Sequence, residues 1–148
     1  MVGRWWSGAL AGWLLLCISG CNSGNATVEQ ETSNLKPLAV FYGQYVGQHR
    51  GQAPPSEQAF KEFVKSKAAS PAATFSIKDV EGLFISSRDK KPYVIRYGGT
   101  TGPPGAAGAP VVAYEQEGVK GKRYVATAVG AVQEVDDAQF HTLVPDAK

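Results

Sequence analysis

Thiols, imidazoles and an excess of either charge are what this chain has least of. There are two cysteines and two histidines in 148 residues, and 15 Lys and Arg stand against 13 Asp and Glu. A balance this even lacks the basic footprint of a nucleic-acid-binding surface and gives no reason to expect electrostatic docking on anionic lipid. His49 and His141 have no second nitrogen or sulfur ligand three or four positions away, so the spacing of a metal site is missing. There is no Gly-x-Ser-x-Gly nucleophile motif. Tryptophan occurs only at positions 5, 6 and 13. The most apolar segment, Trp5 to Ile18, has 14 residues, short of the roughly 20 that a helix needs to cross a bilayer.

What is present begins at that segment. Arg4 supplies a short basic n-region, Trp5 to Ile18 an apolar h-region, and Ile18-Ser19-Gly20 lead into Cys21. This is the layout of a secretory signal, and the last four residues resemble the lipobox of bacterial lipoproteins. The resemblance implies that the Cys21 thiol receives diacylglycerol, that the signal is cut before it, and that the new amine is acylated. Two or three chains, at about 0.8 kcal/mol per buried methylene, make attachment lasting where one chain binds reversibly. Cys17 then leaves with the signal and Cys21 is used by lipid, so no thiol remains for a disulfide or a metal. Asn22, where aspartate would favour retention in the inner membrane, leans toward the outer membrane. The chain therefore divides into a signal at 1–20, a lipidated Cys21 with a flexible polar tether at 21–34, and a single α+β domain at 35–148.

Leu35, Leu38, Tyr42, Tyr45, Val46 and His49 fall on one helical face, with Asn34 as cap and Pro37 in the first turn. Ser56 caps a second helix that carries Phe60, Phe63 and Val64, so the spacing predicts a helical hairpin. Ser76 and Asp79 stand at capping-box spacing and predict a turn of helix over 77–81. Strands follow at 92–97, 111–114, 124–129 and 132–135, with Glu117-Gly118 to Gly121 closing one hairpin and Val129-Gly130-Ala131 another. Asp136 and Gln139 predict a capped C-terminal helix with Phe140, Leu143 and Val144 on its apolar face. The order argues one layer of helix on one antiparallel sheet around one core.

The glycine- and proline-rich stretch 98–109 lacks the lysine and Ser/Thr of a P-loop, and Pro103-Pro104 removes two backbone donors, so it reads as the least ordered loop of the domain. Ser86 to Lys91 reads as a polar turn. The six tyrosines fall mostly at core-facing positions rather than in an exposed row suited to sugars. No catalytic residue, cofactor or metal ion is expected.

Phe41-Tyr42-Gly43-Gln44-Tyr45 through Gly51, then Pro54-Pro55 and Phe60, is similar to the opening of small lipoproteins of planctomycete-type bacteria, with Phe84, Ser86, Arg88, Asp89, Pro92 and Tyr93 continuing the pattern. Pro110 to Glu115, a hairpin and Phe140 resemble the C-terminal sheet of planctomycete prepilin-like proteins, with Val129-Gly130 in place of the usual Asp-Gly. The resemblance implies an envelope address and no assigned activity. The expectation is a non-enzymatic protein with a structural or interaction role, anchored on the periplasmic face through Cys21. Its expected partners are the membrane and an envelope protein, not nucleic acid. The alternatives are an accessory of a secretion or pseudopilus-like system and an envelope hydrolase, the latter requiring His49 or His141 bonded to a serine in a cleft.

Overall fold

The computed structural model describes residues 33–70, 74–99 and 103–147. The signal, Cys21 and most of the proposed tether lie outside the described residues. Helix α1 (Leu35–Gln48) opens the domain. Its cap is not the side chain of Asn34. Ser33 Oγ accepts the Leu35 N–H at 3.1 Å, while Asn34 Nδ2 donates to the carbonyls of Gly82 and Ile85. These two residues, expected at the end of the tether, are thus packed into the domain. The buried face of α1 is wider than the periodicity suggests, taking in Ala39 and Phe41, whereas His49 is exposed beyond its end.

Helix α2 (Glu57–Ala68) starts where Ser56 Oγ accepts the Ala59 N–H, and lays Phe60 and Val64 against α1. A short helix, α3 (Val80–Leu83), begins three residues later than expected. Asp79, rather than Ser76, is its cap and accepts the Gly82 N–H at 3.0 Å. Aspartate holds an extended backbone at a cap more readily than inside a turn, which moves the start.

Strands β1 (Val94–Ile95), β2 (Val111–Tyr114), β3 (Lys122–Thr127) and β4 (Val132–Asp136) form an antiparallel sheet in the order β1-β2-β3-β4. The first is much shorter than the expected run 92–97. The third is shifted two residues toward the N-terminus, because Gly118 at φ 73° tightens the hairpin before it and Thr127 already bonds to Ala131 to close the turn after it. Helix α4 (Asp137–Leu143) follows β4 directly, and both halves of the Asp136/Gln139 capping box are made.

The sheet is covered on both faces, not one. Against one face α1, α2 and α3 bury Leu38, Tyr42, Phe60, Phe84 and Tyr124; against the other α4 buries Phe140 and Val144 on Val111, Tyr114, Val125 and Val135. Side-chain alternation serves both faces along β3, and β2 adds a β-bulge. The register slips between Val111 and Ala113, so Val112 and Ala113 both serve the first core while Val111 and Tyr114 serve the second. The expected two-layer, single-core arrangement is replaced by helix, sheet and helix. The C-terminal segment is strapped down by Arg96, whose Nη2 reaches both carboxylate oxygens of Asp146 at 2.7 and 2.6 Å. Residues 100–102 of the glycine- and proline-rich stretch lie outside the described residues, but 105–109 are more ordered than their composition suggests: Ala106–Gly108 form a 3-10 turn, and the Gly105 N–H bonds to the Ala109 carbonyl across it.

Candidate functional site

Two places in the fold gather chemistry, one at each end of the sheet. At the end where Ser33 enters, the segment Ser86 to Lys91 turns tightly, with the Ser86 N–H bonded to the Lys91 carbonyl. Ser86 Oγ accepts the N–H groups of Arg88 and Asp89 and donates to Glu115 Oε1 at 3.0 Å. Glu115, fully buried where β2 leaves the sheet, uses its other oxygen to accept the Tyr124 N–H at 2.8 Å. Burial pushes its carboxyl above the ordinary carboxylate range, against the opposing pull of the Tyr124 N–H, the Arg88 guanidinium and the Ser86 hydroxyl. Arg88 lies 3.9 Å over the Tyr124 ring, 3.5 Å from Glu115 and 2.9 Å from Glu134. Asp89 is the clasp between the two loops. Its carboxylate accepts the N–H groups of Lys91, Glu117 and Gly118. Burial pushes its pKa up, but these three donors outweigh that and hold it below the usual range.

A serine bonded to a carboxylate resembles half of a nucleophile–base pair. The geometry assigns it another task. Ser86 is 1% exposed and its oxygen already takes two backbone N–H groups, so no substrate reaches it and its hydroxyl proton is directed at an acid buried for structural ends. Serine, arginine, aspartate and glutamate together lock the 86–91 turn onto the β2–β3 hairpin.

At the opposite end lies a cleft of about 540 Å³, lined by Tyr42, Val46, Gln52, Ala53, Pro110 and Val112 among others. Its size suits a small molecule. Among the described residues its lining holds no carboxylate, imidazole or cation. The Tyr42 hydroxyl donates to the Arg96 carbonyl at 2.7 Å, and burial, opposed by Arg96, pushes it up to about 12, so it retains its proton.

The chain matches no family model, no curated protein and no solved structure.

The residues weighed for a catalytic or metal role do not converge. His49 Nδ1 lies 2.8 Å from the Tyr45 carbonyl with its ring stacked on Tyr45, and His141 lies edge-on to Phe140 at the far helix. Neither is bonded to a serine among the described residues, nor do three or more His, Cys, Asp or Glu side chains there gather as a metal site. Asp136 is committed to its helix cap. Five of the six tyrosines are buried, and Tyr97 is half-buried. Among the described residues, no helix is long and apolar enough to cross a membrane. Cys21, the one residue given a chemical role by the sequence, lies outside them. The Glu115 network was missed by sequence reading because Glu115 looks like the polar end of a strand. Only the pairing of β2 with β3 reveals that it turns inward.

Proposed function

We propose that this chain is a lipid-anchored protein of a bacterial envelope, held to the membrane through Cys21 and serving a structural or interaction role rather than a catalytic one. One observation carries the reading: Ile18-Ser19-Gly20-Cys21 directly follows a 14-residue apolar run behind a basic residue. The small residues suit a peptidase that must hold an extended backbone close to the bilayer surface, and the thiolate is the side chain that takes the lipid. The role reading is supported by where the polar chemistry goes, since the Ser86, Asp89 and Glu115 side chains are spent on loop geometry. The test is fractionation of cells expressing the full chain or its Cys21→Ala variant, with mass spectrometry of the N-terminal peptide. The wild type is expected in the membrane fraction with acyl mass at Cys21, and the variant outside it. Wild-type protein in the soluble fraction with an unmodified Cys21 would overturn the reading.

A further inference from the structure

The two edges of the sheet are protected unequally. Strand β1 has only two residues, and the bridge from Ile85 to Pro92 continues its line, so a short strand and a proline blunt that side. Strand β4 has five residues, Val132–Asp136, in unbroken register with β3, and it contains no lysine, proline or bulge. Alternation along the ladder decides which of its backbone groups are open. Tyr124 gives its N–H to Glu115 Oε2 and takes the Glu115 N–H on its carbonyl, so its backbone faces β2, and Glu134, its partner across the ladder, faces outward. Val132, two residues earlier, faces outward as well. Among the described residues no group bonds to the N–H or C=O of either. The flanking donors are taken: the Gly130 N–H by the Thr127 carbonyl and the Asp136 N–H by Gln139 Oε1.

We propose that β4 is a dimer edge, at which a second copy of this chain adds its own β4 antiparallel to the first about a two-fold axis at Gln133. The register follows from the open groups. Val132 then opposes Glu134 of the second copy, and Glu134 its Val132; each pair exchanges both bonds, and no open donor or acceptor is left. An axis at Val132 would set Glu134 against Gly130, whose N–H is taken. An axis at Glu134 would set two carboxylates face to face and oppose Val132 to Asp136, whose N–H is also taken. With the axis at Gln133, Glu134 faces Val132 and Asp136 faces Gly130, so no two acids oppose. Glu134 is moreover neutralised within its own copy, by Arg88 at 2.9 Å and Lys122 at 3.8 Å. Beside the seam Gln133, Val135, Gln139, Thr142 and Leu143 line a hollow of about 310 Å³. Because α4 packs over β3 and β4, the two α4 helices stand about two strand spacings apart, roughly 10 Å, which is a helix-packing distance. The second copy therefore closes the hollow with its own α4. The contact is isologous, and the joined sheet ends on the blunted β1 at both sides. It stands whether or not Cys21 carries lipid.

The test uses the full chain, cross-linked by oxidation in the expressing cells and, after solubilisation in detergent, followed by sedimentation equilibrium. Wild type should sediment at twice the mass of one chain. Gln133→Cys should form a disulfide-linked dimer, because opposed residues at a non-hydrogen-bonded position stand about 4.5 Å apart at Cα, within disulfide reach. Val129→Cys is more exposed, but this register places it opposite Asp137, so it should cross-link at least about ten-fold less. Both are compared with wild type, in which Cys17 and Cys21 set the background. Gln133→Lys or Gln133→Glu alone opposes like charges and should sediment as a single chain with an unchanged far-ultraviolet circular dichroism spectrum. Mixing the two should restore the double mass, which an unfolded variant could not do. Wild type sedimenting as one chain, Val129→Cys cross-linking as readily as Gln133→Cys, or a Gln133→Lys protein that stays paired overturns the proposal. So does a Gln133→Cys disulfide to another protein without self-pairing, which would make the edge a site for a foreign strand.

Discussion

Glu115 shows how a single side chain holds two loops together at a cost. It is sealed from water but accepts one hydroxyl and one backbone N–H, with Arg88 alongside. Removing a buried acceptor leaves its donors inside without a partner, so Glu115→Ala should lower stability by roughly 3 kcal/mol in urea denaturation. Glu115→Gln retains one oxygen for the Tyr124 N–H and should cost less. The two substitutions also separate by pH. Because burial raises the Glu115 pKa, its stabilising contribution is complete below the ordinary carboxylate value and is lost as pH rises through the raised one. Asp89, held below its ordinary value, acts in the opposite sense: its contribution is present above that value and is lost on acidification. The stability gap between wild type and Glu115→Gln should therefore be widest below the ordinary carboxylate value and narrow as the pH rises above it. A gap that widens with pH would mean that the Arg88 charge, not burial, governs this carboxyl.

Two glycines on α1 look alike in the sequence and do opposite things in the fold. A Cβ on Gly43 would stand 2.2 Å from the Ala128 carbonyl oxygen, because the helix crosses the β3–β4 turn at backbone distance. A Cβ on Gly47 would meet nothing. Gly43→Ala should destabilise by about 1–3 kcal/mol through overpacking, and Gly47→Ala should stabilise by about 0.5 kcal/mol through helix propensity. Thermal melts of the two single variants decide it, and a shift in the same direction for both would refute the close approach. The contrast shows what was legible. Helix periodicity, the Ser56 cap and the Asp136 capping box are local signals between neighbouring residues, and each appears where its spacing put it. Asn34 was misread because its side chain reaches the Gly82 carbonyl, a partner that only the tertiary fold supplies, Ser76 because Asp79 takes the cap, and the end of the third strand because Thr127 already bonds to Ala131. The same holds for the site. Ser86, Arg88 and Asp89 were recognisable as a polar turn, but Glu115, which Ser86 and Arg88 reach, and the Gly118 N–H, which Asp89 accepts, lie 27 or more residues away, beyond the end of β2.

The domain as a whole has the expected α+β make-up, a helical hairpin on an antiparallel sheet with a short C-terminal helix, but the sheet that was to have one covered face has two. Strands β2 and β3 contribute to both cores at once: Val112 and Tyr124 face α1 and α2, while Val111 and Val125 face α4. Alternation of side chains does this along β3, and the bulge in β2 turns Val112 and Ala113 both toward the first core. Neither core can then be lost without stripping one face of the strands that hold the other, and Arg96 couples them further, with its carbonyl bonded to Tyr42 on one side and its guanidinium to Asp146 on the other. Unfolding should be a single transition despite the two cores. Tyr45 borders the first core and Tyr114 the second, and the three tryptophans all precede Cys21. Cleavage at the lipobox would thus leave a tryptophan-free protein, in which Tyr45→Trp or Tyr114→Trp reports on one core alone. In each variant, urea curves followed by tryptophan emission and by far-ultraviolet circular dichroism should coincide. A Tyr114→Trp signal that changes well before the circular dichroism would show that α4 peels from the sheet on its own, and that the second core is an appendage rather than part of one cooperative fold.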